Sequence, residues 1–106
     1  MSNFAAVLEQ LWATVEARQR TPDDNSWTAK LLADPALAAK KLAEEAVETA
    51  LAAVQGDRAG VVAESADLIY HWLALLAALG VTPDEVGVVL AARQGRSGIE
   101  ERASRP

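Results

Sequence analysis

The sequence of 106 residues predicts an all-α protein, an antiparallel helical bundle of four to five helices. Ala occurs 23 times while aromatic residues make up only 5 % of the chain. This composition favours helices, because Ala loses no side-chain entropy in a helix and packs poorly on a pleated surface. Apolar residues recur at helical spacing, and no segment alternates as a strand does. The length fits one domain, expected over residues 1–94 and followed by a basic tail over residues 95–106.

Capping residues and glycines predict where each helix begins and ends. We expect Ser2 to cap a first helix that ends at residues 18–20, and Ser26 to begin a short second helix. The other three helices have clear signals at both ends: an Asp-Pro start at Asp34 and a stop at Gly56, a cap at Asp57 and a stop at Gly80, and a capping box at Thr82 before a helix that ends near Gln94.

Charge and composition exclude several classes of function. The net charge of −5 argues against a general nucleic-acid binder, and the absence of Cys excludes disulfides and thiolate metal sites. The first residues show no export signal, and the longest apolar run, residues 68–81, is too short to span a bilayer. We therefore expect a soluble cytoplasmic protein with neither nucleic acid nor a membrane as a partner.

The helix that follows Asp57 is apolar on nearly all sides in its second half. Such a helix must be buried on several sides, and a chain this small offers little intramolecular surface to cover it. We therefore expect a two-fold dimer. The alternative is that the last helix covers the second apolar face.

Two acidic pairs carry the functional signal. Glu45 and Glu48 lie three residues apart, as do Glu64 and Asp67, so each pair occupies one face of its helix. Gly56 lies eleven residues from both Glu45 and Asp67, and eight from both Glu48 and Glu64. If the two helices turn back on each other at this glycine, the two pairs lie at matching heights and can face one another.

Four converging carboxylates indicate a divalent cation, which would relieve their mutual repulsion. Oxygen ligands without His or Cys suit Mg²⁺, with Mn²⁺ possible, and Mg²⁺ sites commonly leave positions for water and phosphate. This chemistry favours metal-assisted phosphoryl hydrolysis. A di-iron site would want Glu-x-x-His pairs, and the single His71 belongs to none. The alternative is a solvated acidic helix face.

Four segments of the chain form a recognisable set: Ser-Trp-Thr-Ala-Lys-Leu-Leu at residues 26–32, Lys-Lys-Leu-Ala-Glu-Glu-Ala-Val-Glu at 40–48, Glu-Ser-Ala-Asp-Leu-Ile-Tyr-His at 64–71, and the C-terminal residues 96–105. Together they resemble the phosphoribosyl-ATP pyrophosphohydrolase family, which belongs to the MazG-like all-α pyrophosphohydrolases. The acidic motifs mark the broad superfamily. The Ser-x-Thr-x-Lys and Tyr-His elements point to the histidine-pathway member.

The resemblance implies hydrolysis of phosphoribosyl-ATP between its α and β phosphates, which yields phosphoribosyl-AMP and pyrophosphate in the second step of histidine biosynthesis. It implies Mg²⁺ as the cofactor and a homodimer or a larger homo-oligomer. By motif position, it implies Glu45, Glu48, Glu64 and Asp67 as the metal ligands.

Glu44 and Glu45 are the candidate catalytic carboxylates. Glu44 is a candidate second ligand or water-orienting base. Its alternative role is an exposed ion-pair partner for Lys40 or Lys41, which precede it by four and three residues.

The candidates for substrate binding are Lys30, Lys41, Trp27, His71, Arg93 and Arg96. Lysine and arginine suit substrate phosphates because they stay charged. Other roles stay open for three candidates: Trp27 as a core-filling residue, His71 as a hydrogen-bonded interface residue, and Arg93 as a stabiliser of its helix end.

Two other functions compete with this interpretation. A pyrophosphohydrolase of the same fold could act on canonical or damaged deoxynucleoside triphosphates. A non-catalytic helical adaptor could use the acidic patch to bind a basic partner.

Overall fold

The computed structural model describes residues 3–21, 25–95 and 102, and these residues form helices and turns without a strand. The elements in chain order are α1 (Phe4–Arg20), α2 (Trp27–Ala33), α3 (Pro35–Val54), α4 (Arg58–Leu79) and α5 (Pro83–Arg93). The all-α prediction with up to five helices is confirmed. Most of the predicted basic tail lies outside the described residues.

Each helix begins at a side-chain cap, and the predicted caps are confirmed at α2 to α5. The cap of α1 is Asn3, whose side chain accepts a hydrogen bond from the Ala6 amide at 3.3 Å. The prediction of Ser2 as this cap was wrong, because helical geometry begins at Phe4 and the cap is the residue directly before it. The capping box of α5 is complete in both directions between Thr82 and Glu85.

Helices α3 and α4 form an antiparallel hairpin, the most extensive helix contact in the described part of the chain. Gly56 has a φ of +70° in the turn, a left-handed conformation that glycine adopts without the steric cost of a side chain. The Asp57 amide then donates to the Ala52 carbonyl at 3.0 Å, and the Asp57 side chain caps α4. The predicted pivot at Gly56 is therefore confirmed.

Helix α4 is the centre of the bundle, with α1, α2 and α3 packed against it. The core cluster joins Leu31 of α2, Ala38 of α3 and Ala74 of α4, each fully buried. Among the described residues, α4 is the one helix long and apolar enough to cross a membrane, a criterion of length and composition that the core helices of soluble bundles also meet. The apolar run of residues 68–81, expected to be too short to span a bilayer, is only part of the segment that meets this criterion.

Large apolar side chains remain exposed on the outer faces. Val47 and Leu51 of α3 are 58 % and 53 % exposed. Helix α5 contributes no buried residue, and Val88 and Leu90 point outwards at 70 % and 59 % exposure. Within this chain, α5 therefore does not cover the second apolar face of α4.

Candidate metal and catalytic site

Three of the four predicted ligands meet between α3 and α4. Glu45, Glu48 and Glu64 each place one carboxylate oxygen within 4.8 Å of the other two. The antiparallel hairpin produces this convergence, since Glu48 and Glu64 lie at the same distance from the turn. Asp67, one helical turn further along α4, is exposed and lies outside this group.

Two oxygens of this cluster are buried without a hydrogen-bond partner. They are Oε2 of Glu45 and Oε2 of Glu64. Glu45 as a whole is only 7 % exposed. A buried polar atom left unpaired is costly, and an anionic oxygen more so. A cation bound between the carboxylates would satisfy both atoms at once. The all-oxygen donor set is the one that hard ions such as Mg²⁺ prefer.

The crowding of carboxylates perturbs Glu64. The pKa of Glu64 is raised to about 7. The largest cause is hydrogen bonding of its carboxyl group to Glu48, followed by hydrogen bonding to Glu45, burial and like-charge repulsion. When no cation is bound, the cluster therefore takes up a proton as the pH falls through about 7. Perturbed carboxylates of this kind are typical of functional sites.

A lysine lies at the edge of the acidic cluster. The Lys41 ammonium donates to Glu44 at 2.9 Å, an ion pair between residues three apart on α3. This contact raises the pKa of Lys41 and lowers that of Glu44, and the charges of Glu45 and Glu48 raise the pKa of Lys41 further. The structure thus shows the ion pair that the sequence left open as one role of Glu44.

Two side-chain hydrogen bonds connect the first turn of α2 to α4. The Trp27 indole N–H donates to Nε2 of His71 at 3.3 Å, and the hydroxyls of Thr28 and Tyr70 are hydrogen-bonded to each other. His71 is only 6 % exposed, and its Nδ1 lies 2.7 Å from the Asp67 carbonyl oxygen. Thr28 was not a candidate in the sequence analysis. Thr28 stands next to Trp27 in the Ser-x-Thr-x-Lys segment, just as Tyr70 stands next to His71. This parallel between the two segments is the sequence signal that could have identified Thr28.

The other candidates for substrate binding lie at several places on the surface. Trp27 is 42 % exposed, so it does not fill the core. Lys30 is exposed on α2, three residues after Trp27. Arg93 is exposed in the last turn of α5, while Arg96 lies outside the described residues.

Comparison with known proteins gives one consistent result. Residues 8–94 match the family model for phosphoribosyl-ATP pyrophosphohydrolase. A phosphoribosyl-ATP pyrophosphatase of Caulobacter vibrioides is 62 % identical over 99 residues, which cover 93 % of this chain and 92 % of the relative. One from Caulobacter sp. strain K31 is 57 % identical over 106 residues, 100 % of this chain and 99 % of the relative. One from Ruegeria pomeroyi is 53 % identical over 102 residues, 95 % and 97 % of the two chains.

Proposed function

This chain belongs to the phosphoribosyl-ATP pyrophosphohydrolase family, and on that premise we propose that it hydrolyses phosphoribosyl-ATP to phosphoribosyl-AMP and pyrophosphate in histidine biosynthesis. The bond cleaved is the anhydride between the α and β phosphates. The observation that carries this proposal is the convergence of Glu45, Glu48 and Glu64 across the α3–α4 hairpin.

We propose that Glu45, Glu48 and Glu64 hold Mg²⁺, and that Asp67 supplies a further ligand from the next turn of α4. When bound, Mg²⁺, or Mn²⁺ in its place, would neutralise phosphate charge and lower the pKa of a bound water molecule. The fit rests on two buried carboxylate oxygens without partners and on a donor set made only of oxygen. The exposure of Glu48 and Asp67 leaves the site open to solvent on one side, where a triphosphate could enter.

The acids and the lysine have separate roles in this mechanism. Glu45, buried at the base of the site, fixes the position of the cluster, while Glu44 is only half-buried and can orient the attacking water. The Lys41 ammonium, held by Glu44, is placed to contact the negative phosphates. The ion pair lowers the pKa of Glu44, so Glu44 would orient water rather than act as a strong base.

We propose that Trp27 and Lys30 of α2 contact the substrate from the neighbouring helix. Trp27 offers an exposed aromatic surface to the base or ribose, and Lys30 an exposed ammonium to a phosphate. Arg93 and Arg96 are proposed for the ribose phosphate, from the same subunit or from a partner.

We propose a homodimer, or a larger assembly built on it, as the functional form. The exposed apolar side chains of Val47, Leu51 and Leu90 support it, because a monomer would leave them in water. A biosynthetic enzyme with a nucleotide substrate is expected in the cytoplasm.

A pyrophosphate-release assay tests the proposed substrate. Phosphoribosyl-ATP and a panel of deoxynucleoside triphosphates are supplied to the same protein with Mg²⁺. We expect turnover of phosphoribosyl-ATP far above that of any deoxynucleotide. Turnover of deoxynucleotides alone would replace the assignment with a pyrophosphohydrolase of deoxynucleoside triphosphates, and no turnover at all would favour the adaptor.

A further inference from the structure

The polar contacts between α2 and α4 fix the chemical state of His71. The indole N–H of Trp27 is a donor only, so Nε2 of His71 must accept the bond between them. A neutral imidazole that accepts at Nε2 carries its proton on Nδ1. That proton faces the Asp67 carbonyl oxygen at 2.7 Å, which can only accept. One tautomer therefore satisfies both contacts, and both ring nitrogens are occupied.

His71 is poorly placed to bind substrate itself. It is 6 % exposed, and its ring is also in edge contact with the rings of Trp27 and Tyr70. Trp27 has the opposite character. Its N–H is held by His71 inside the bundle while 42 % of the residue stays exposed. The bond therefore restrains the orientation of a ring that is partly exposed to solvent.

The location of this pair relates it to the acidic cluster. Asp67 and Glu64 precede His71 on α4 by four and seven residues, which is about 6 and 10 Å along a helix axis. A nucleotide whose phosphates lie on the acids can span such a distance with its ribose and base. The exposed indole bonded to His71 is therefore within the reach of such a nucleotide along α4, and its flat face suits stacking on a purine.

We propose that His71 is a positioning residue that acts through Trp27: it holds the indole in one orientation as a stacking surface for the purine and does not contact the substrate. This inference rests on the proposed function for the identity of the substrate. The bond between Thr28 and Tyr70 and the fully buried Leu31 keep α2 attached to α4 independently. Loss of the His71 bond therefore frees the indole without detaching the helix.

Two substitutions of His71 separate its two hydrogen bonds. In His71→Gln, the amide oxygen lies near the former position of Nε2 and can still accept from Trp27. In His71→Asn, the shorter amide lies near the former Nδ1 and cannot reach the indole. Trp27→Phe keeps an aromatic ring but removes the N–H. We expect His71→Asn and Trp27→Phe each to raise KM for phosphoribosyl-ATP about 3- to 10-fold, the effect of one net hydrogen bond, with kcat within about 2-fold. His71→Gln should recover most of the wild-type KM.

The double variant distinguishes positioning from direct contact. If His71 acts only through Trp27, Trp27→Phe combined with His71→Asn should raise KM no more than either change alone. A multiplicative effect, or an unchanged KM in Trp27→Phe, would overturn the proposal. Absence of hydrolysis by the unaltered protein would instead count against the proposed function.

A fluorescence measurement tests the same contact without catalysis. In a protein in which Trp12 and Trp72 are replaced by Phe, emission comes from Trp27 alone. We expect His71→Asn to lower the anisotropy of that emission because the indole rotates more freely, and His71→Gln to preserve it. Circular dichroism confirms that each variant is folded. Equal anisotropy in folded His71→Asn and the unaltered protein would refute the positioning role.

Discussion

Binding of a divalent cation should displace a proton from the acidic cluster, by an amount that the structure specifies. The pKa of Glu64 is raised to about 7 by Glu48 and Glu45. A carboxyl group must lose its proton to bind a metal. The cluster therefore releases about 0.9 proton per cation at pH 6, about 0.5 at pH 7 and about 0.1 at pH 8. The apparent affinity should be about tenfold weaker at pH 6 than at pH 8.

Calorimetry measures this proton release directly. Mg²⁺ or Mn²⁺ is titrated into the protein in pairs of non-chelating buffers that differ in ionisation enthalpy, and the difference in heat gives the protons released. Glu9→Gln is the matched control, because it removes an exposed carboxylate on α1, away from the cluster. We expect this variant to release the same number of protons as the unaltered protein. Saturable binding at pH 6 with no proton release would refute the account of Glu64.

The same proton affects the stability of the metal-free protein. Because the pKa of Glu64 is higher in the folded chain than its ordinary 4.5, the folded state binds the proton more tightly than the unfolded state. Its contribution is fully present below about pH 4.5 and is lost as the pH rises through about 7. Nuclear magnetic resonance titration should show a Glu side chain with a midpoint near 7, and Glu64→Gln should remove that signal. A midpoint near 4.5 would contradict this.

Three further predictions concern the core, the outer face and the edge of the site. Leu31→Ala should lower the free energy of unfolding by about 2–5 kcal/mol in urea denaturation, since Leu31 is fully buried; a loss well under 1 kcal/mol would show that α2 is not anchored there. Leu51→Glu should convert the proposed dimer to a folded monomer in light scattering, since Leu51 is 53 % exposed in the single chain; an unchanged mass would remove this face from the interface. Lys41→Ala should raise KM for phosphoribosyl-ATP by about 10-fold or more. Lys40 is the neighbouring exposed lysine, and Lys40→Ala should change KM little. Equal effects of the two substitutions would contradict the assigned phosphate contact.

The helices and the acidic convergence could be predicted from local signals. Asp34, Asp57 and Thr82 each cap a helix because a short polar side chain reaches the amide three residues on. Gly56 predicted the turn because its position requires a positive φ. Because the antiparallel helices meet at Gly56, Glu48 and Glu64, each eight residues from it, lie level with each other along the helix axes.

Contacts that depend on the rotation of a helix about its axis and on the reach of side chains could not be predicted from the sequence. Counting placed Asp67 level with Glu45, yet Glu64 is the α4 residue that groups with both α3 acids. A small rotation of a helix decides this, and the spacing of residues does not fix it. The bond between Trp27 and His71 joins residues 44 apart, so it depends on how α2 packs on α4. The sequence also left open whether the last helix covers the second apolar face of α4, and the absence of buried residues in α5 decides against that alternative within this chain.

The central claim is that acids facing each other across the α3–α4 hairpin bind a cation and cleave a nucleotide anhydride. It is tested most directly by following phosphoribosyl-ATP with phosphorus nuclear magnetic resonance, in the unaltered protein, Glu48→Gln and Glu9→Gln. The account predicts Mg²⁺-dependent release of pyrophosphate that falls by at least about 100-fold in folded Glu48→Gln and is retained in Glu9→Gln. Equal rates of pyrophosphate release in the unaltered protein and in Glu48→Gln would contradict it.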